Sequence, residues 1–142
     1  MSNDPASRKG LALGVGATLG LFSPGSAADP SRFQAGRDWL ESVGYRTKLG
    51  ASTSNDAAVA PSSRLHAALP EIRAQDFVAL WRNPAVDGLV CARGGSGTLG
   101  ILPHLDFAAL ASTPPKLLVG MSDVTALAFA LHARLGLASV AA

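Results

Sequence analysis

The stretch Lys116-Leu117-Leu118-Val119-Gly120-Met121-Ser122-Asp123-Val124-Thr125-Ala126-Leu127-Ala128-Phe129-Ala130-Leu131-His132-Ala133-Arg134-Leu135 decides the fold. Pro114 and Pro115 bar a helix just upstream, so the apolar run from Leu117 to Gly120 reads as a strand. Apolar on both sides, it suits the middle of a parallel sheet. After the polar turn, Val124, Leu127, Leu131 and Leu135 fall at helical spacing on one stripe. Gly136 is the expected stop, with His132 and Arg134 in the last turn.

A serine at a strand-to-helix turn has two readings. It is the position of an activated nucleophile, because the turn lifts Oγ above the sheet edge and the helix N-terminus offers free N–H groups to an oxyanion. It is also a common place for a helix cap, a role open to both Ser122 and Asp123. Gly120-Met121-Ser122-Asp123-Val124 keeps only the first glycine of G-x-S-x-G, so the turn alone does not choose.

Working outward, apolar and polar segments alternate along the chain. Strands are expected at about 17–22, 45–49, 86–92 and 117–120, and 137–142 reads as the start of a fifth. Helices are expected from Asp29-Pro30-Ser31 to Gly44, with Phe33, Leu40 and Val43 inward, and over 70–81, with Ile72, Phe77, Leu80 and Trp81 inward. Shorter helical pieces are expected toward Leu102 and over 105–110. Residues 50–63 form a long loop, and 1–10 a frayed, disordered tail. The alternation predicts an α/β domain: a parallel sheet of four to five strands with helices on both faces. Ligands of such sheets bind at the carboxyl ends of the strands, where residues 23–28, 93–98 and 120–123 lie.

At 142 residues the chain is one domain's worth. It is 48% apolar and 15% charged, which excludes a disordered or solvating chain. A net charge of +2, with scattered basic residues, excludes a nucleic-acid footprint. The single cysteine, Cys91, permits no internal disulfide and suits a reducing compartment. No run reaches the length of a membrane span. Arg8 and Lys9 ahead of 11–22, with Ser26-Ala27-Ala28 behind, outline a secretory leader. The same residues also read as a buried first strand closed by the turn Ser23-Pro24-Gly25.

Gly95-Ser96-Gly97-Thr98-Leu99-Gly100 is a literal G-x-G-x-x-G between a strand and a helix. It follows the third strand rather than the first, and no acidic residue stands where a ribose would need one. An anion nest for phosphate, carboxylate or oxyanion is the broader reading, and a tight turn without a ligand is the other. His132 lies about 15 Å from Ser122 along one helix and cannot be its base. His104 reads as surface, though it is the one local candidate for a base. Glu41 and Glu71 read as solvated, and Cys91 as a small buried hydrophobe. No group has metal-ligand spacing.

Together these residues resemble the LD-carboxypeptidase family of serine peptidases, which includes the murein tetrapeptide carboxypeptidases and microcin-immunity hydrolases. The matching motifs are Gly16-Ala17-Thr18-Leu19-Gly20 with Ser23-Pro24, Arg73-Ala74-Gln75-Asp76, Asn83-Pro84-Ala85-Val86-Asp87, Cys91-Ala92-Arg93-Gly94-Gly95-Ser96-Gly97 and Gly120-Met121-Ser122-Asp123-Val124-Thr125-Ala126-Leu127. They span about 11–140. The family's aromatic positions are Ser96 and Met121 here. The resemblance favours the nucleophile reading and sets the leader reading aside.

The resemblance implies a flavodoxin-like N-terminal nucleophile domain over 11–142 and cytoplasmic hydrolysis of an L,D peptide bond, releasing D-alanine from murein tetrapeptides during peptidoglycan recycling. Ser122 would be the nucleophile. The N–H of Asp123 and one from Gly94 or Gly95 would form the oxyanion hole. No cofactor or metal is implied. The family's second domain supplies the glutamate and histidine of the triad, and this chain is expected to be truncated before it or to be one half of a split enzyme. The expected partners are a murein peptide, that second half, and a second copy in a homodimer. Leu135, Leu137 and Val140 are expected to be left bare at the cut end. The competing expectation is a non-catalytic α/β binding module whose glycine loop holds a carboxylate or phosphate.

Overall fold

The computed structural model describes residues 8–54 and 65–142. Four parallel strands form one sheet in the order β2-β1-β3-β4: β1 (Thr18–Phe22), β2 (Arg46–Leu49), β3 (Gly88–Cys91) and β4 (Leu117–Val119). Gly20 stands opposite Leu89, and Leu89 opposite Leu118, so β1, β3 and β4 end close to level. Parallel neighbours require crossovers, supplied by α1 (Pro30–Ser42), α2 (Pro70–Arg82) and α3 (Phe107–Ala111). The helix α4 (Thr125–Leu135) follows β4 and stops at Gly136, whose left-handed φ of 67° closes its last turn.

The two faces of the sheet are unequal. Phe22, Leu89 and Leu118 point into a core completed by Ala74, Phe77, Leu80 and Trp81 of α2 and Leu127 and Leu131 of α4. Leu21 and Val90, one residue out of step, point the other way because side chains alternate along a strand. They floor a cleft of about 540 Å3 beneath Phe33, Trp39 and Leu40 of α1. No residue of α1 is buried, and Trp39 is 63% exposed. The inward side expected from Phe33, Leu40 and Val43 is therefore only half covered, since α1 alone shields that face.

Both ends differ from expectation. Arg8, inside the segment expected to fray, bridges to Leu137 and bonds Gly136 O and Ala138 N; residues 1–7 lie outside the described residues. Leu137 is buried and Leu135 half-buried, so of the expected bare end only Val140 stays exposed. The expected fifth strand, 137–142, is reduced to two isolated bridges, Leu137 to Arg8 and Val140 to Val119. In the 50–63 loop, Ala51–Thr53 form a 3-10 turn pinned by Asp76, which accepts from Ala51 N and Ser52 N; 55–64 lie outside the described residues.

Candidate active site around Ser122

Ser122 opens the 3-10 turn Ser122–Val124 between β4 and α4. Its φ of 61° is left-handed, and among the described residues no other non-glycine has a positive φ. A side chain there costs about 1–2 kcal/mol, so the surrounding packing has to impose it. Gly120 shows part of that packing: a Cβ at this position would lie 2.7 Å from Val124 and 3.1 Å from Cys91. The serine is exposed and its hydroxyl has no partner among the described residues. No side-chain cap is made by Ser122 or Asp123 to α4, which removes the bland cap reading of this turn.

The three expected loops meet here. A Cβ on Gly94 would lie 3.2 Å from Ser122 Cβ and 3.3 Å from Asp123 N, so the glycine backbone is pressed against the serine turn. Asp123 Oδ2 accepts from Thr98 N at 2.8 Å. Residues 23–28 close the third side: Ser26 N donates to Gly94 O, and Ser26 Oγ accepts from Ser96 N. Gly25 has to be glycine, since a Cβ would stand 2.7 Å from both Asp123 Oδ2 and Gly94 O. Gly95 and Gly97 adopt left-handed φ values of 82° and 102°.

These bonds narrow the nest reading. Of the loop's N–H groups, Ser96 N is held by Ser26 and Thr98 N by the carboxylate of Asp123. The chain itself places an anion where a dinucleotide phosphate would have to sit. Asp123 contributes one backbone N–H in the first turn after Met121, where such groups lack intrahelical partners.

Other candidates fall outside this cluster. His104 Nε2 faces Glu71 at 3.7 Å, with both side chains well exposed. His132 Nδ1 lies 3.3 Å from Leu137 O at the helix end. Cys91 packs beneath Gly120, and burial pushes its thiol pKa up, away from thiolate chemistry. Among the described residues no His, Cys, Asp and Glu group could hold a metal. The 540 Å3 cleft touches Arg93 but not Ser122, which stands at an open rim with Met121 exposed beside it.

Sequence reasoning named Arg73 and Asp76 only within a family motif and Ser26 only within a small-residue run, and gave none of them a role at the site; all three are buried. The signal for the first was available: Arg73, Phe77 and Leu80 share one helical stripe, so a charged residue stands on the buried side of α2.

With this geometry in place, the comparisons are specific. Residues 19–142 match the family described as the LD-carboxypeptidase N-terminal domain. The chain belongs to that family. The murein tetrapeptide carboxypeptidase of Pseudomonas aeruginosa is 31% identical over 114 residues, covering 80% of this chain and 35% of its own length. The microcin C7 self-immunity protein MccF of Escherichia coli is 31% identical over 128 residues, 88% of this chain and 35% of its own. The structure of MccF in complex with glutamyl sulfamoyl guanosine superposes with a TM-score of 0.80 at 30% identity, over 95% of this chain and 38% of that one. A muramoyltetrapeptide carboxypeptidase from Oxalobacter formigenes gives 0.67 at 31% identity, over 81% and 36%. This LD-carboxypeptidase-family chain thus spans little more than a third of the relatives' length. Among its described residues no helix is long and apolar enough to cross a membrane.

Proposed function

We propose that this chain is the nucleophile-bearing part of a serine-type LD-carboxypeptidase that removes terminal D-alanine from murein peptides in the cytoplasm. The observation that carries the reading is the left-handed Ser122 just after β4, facing the Gly94 backbone. A strained serine on a strand-to-helix turn is costly for a mere cap and well suited to attack. Ser122 Oγ would add to the scissile carbonyl, and the N–H of Asp123 with that of Gly94 or Gly95 would hold the oxyanion. Collapse of the tetrahedral intermediate releases D-alanine and leaves an acyl-serine, which water hydrolyses.

A serine hydroxyl needs a base to become a competent nucleophile. By family resemblance, the histidine and glutamate come from the second domain of the longer relatives, which would also wall the open rim around Ser122. The exposed Met121 and the small Ser96 at positions that are aromatic in the family point to a substrate grip of its own.

The test is complementation. This chain is co-expressed with the part of the Pseudomonas aeruginosa enzyme that lies beyond the matched stretch, and D-alanine release from a murein tetrapeptide is measured. Release by the pair, none by the chain alone, and loss with Ser122→Ala support the reading. Release that survives Ser122→Ala removes the serine from the mechanism.

A further inference from the structure

We infer that Arg73 is a positioning residue, whose buried guanidinium gathers three loops and sets the glycine backbone against the Ser122 turn. The inference rests on the role of Ser122 proposed above and adds what holds its oxyanion donors in place. Arg73 lies on α2 with 1% of its surface exposed. Its Nε donates to Ala68 O at 2.9 Å, and its Nη1 donates to Gly97 O at 2.9 Å and to Pro24 O. Those carbonyls belong to the segment entering α2, the glycine loop and the loop after β1. Each loop is tied again nearby: Ala67 N donates to Gly25 O, Ser26 N to Gly94 O, and Thr98 N to Asp123.

The choice of residue is informative. If position 73 only filled the core, leucine would do so without the desolvation that a buried cation costs. A guanidinium offers five N–H groups in one rigid fork and accepts none, so it can hold several carbonyls in a fixed relation. Lysine carries the charge but not the fork. Asp123 and Glu71 supply the negative charge that favours the buried cation. Asp123 therefore acts on the loop twice, through its bond to Thr98 N and through its attraction to Arg73. Oxyanion donors act only when held within about 0.5 Å of the productive geometry, which a glycine-rich loop cannot do alone.

Hydrogen–deuterium exchange of the whole chain, resolved by residue, tests this. In the wild type, the amides of Ser26, Ala67 and Thr98 should open as one unit, with opening constants within about threefold of one another. In Arg73→Ala their protection should fall about ten- to hundredfold, while the strand amides of Leu21 and Leu89 change by less than about threefold. Guanidinium chloride at low millimolar concentration should restore most of the loss. Arg73→Lys should give an intermediate loss and serves, with the wild-type pattern, if Arg73→Ala does not fold. Uniform acceleration across the sheet, or wild-type openings that differ by more than about tenfold, would overturn the proposal. Ser122→Ala should leave the pattern intact, so failure of the catalytic reading is scored separately.

Discussion

The Oδ2 atom of Asp123 lies 2.8 Å from the backbone nitrogen of Thr98, so the residue after the candidate nucleophile also anchors the glycine loop. Asp123→Ala removes the acceptor of a half-buried N–H and should cost about 1–3 kcal/mol in urea unfolding. Asp123→Asn keeps an acceptor but loses the charge, and should cost less. Equal losses in both variants would mean that the charge, not the bond, holds the loop.

The left-handed backbone at Ser122 makes a separable prediction. Ser122→Gly removes the Cβ clash at this φ and should stabilise the fold by about 1 kcal/mol while abolishing D-alanine release by the complemented pair. Ser122→Ala should abolish release without that gain. Thermal unfolding of the two variants side by side decides it: Ser122→Gly melting below Ser122→Ala would show that the turn is not strained.

Gly94 is the other half of that contact. In Gly94→Ala the new Cβ would stand 2.9 Å from Met121 O and 3.2 Å from Ser122 Cβ. Backbone must shift to admit it, which costs about 1–3 kcal/mol. A displacement of about 1 Å at a reacting group costs about 100-fold in rate. Turnover by the complemented pair should fall by that order, with KM moving much less than kcat. Unchanged turnover would place the oxyanion site elsewhere.

Cys91 gives a pH signature. Burial raises its pKa from an ordinary value of 9.0, so the folded thiol stays protonated after the unfolded one ionises. The unfolded state then binds fewer protons. Stability from this group is complete below about pH 9 and is lost as pH rises above it, by up to about 1.4 kcal/mol per unit. Cys91→Ala should flatten the alkaline fall between pH 9 and about 11, on top of an opposite trend from Lys116, whose pKa burial lowers. Cys91 is half-buried, so iodoacetamide can reach it, but the protonated thiol should react more slowly in the folded chain than in urea; equal rates at pH 8 would contradict this.

We expect any self-association, which the sequence put at the C-terminal end, to use the α1 face instead. Leu137 is covered, whereas Trp39 stands 63% exposed above the half-open cleft. Trp39→Lys should lower any concentration-dependent association in sedimentation velocity and leave the melting temperature within about 2 °C. Val140→Lys reducing it instead would restore the original assignment.

What the sequence could reveal followed periodicity. The strand Leu117–Val119, the stripe Leu127–Leu131 and the stop at Gly136 are local patterns, and they were legible. So was the meeting of three loops, because parallel strands put their carboxyl ends together. The poor burial of α1 was not, since Phe33 and Leu40 mark a side without saying how much covers it. Nor was what Arg73 holds: its stripe with Phe77 and Leu80 marks it as inward, but its partners are backbone carbonyls that carry no residue signature. The φ of Ser122 is likewise set by neighbours rather than by the serine.

The bridge between Arg8 and Leu137 has a consequence for how the chain is made. A ribosome releases Arg8 well before Leu137, so that pairing has to wait for all of the sequence between them to emerge. An earlier wait concerns β1: until β3 emerges, β1 can gain β2 on one edge only, and its second edge stays open to other nascent chains. Pausing during translation of the 55–87 region should therefore raise misassembly in cells, whereas a pause after Val140 should not. The same chain refolded from urea has no such vectorial delay.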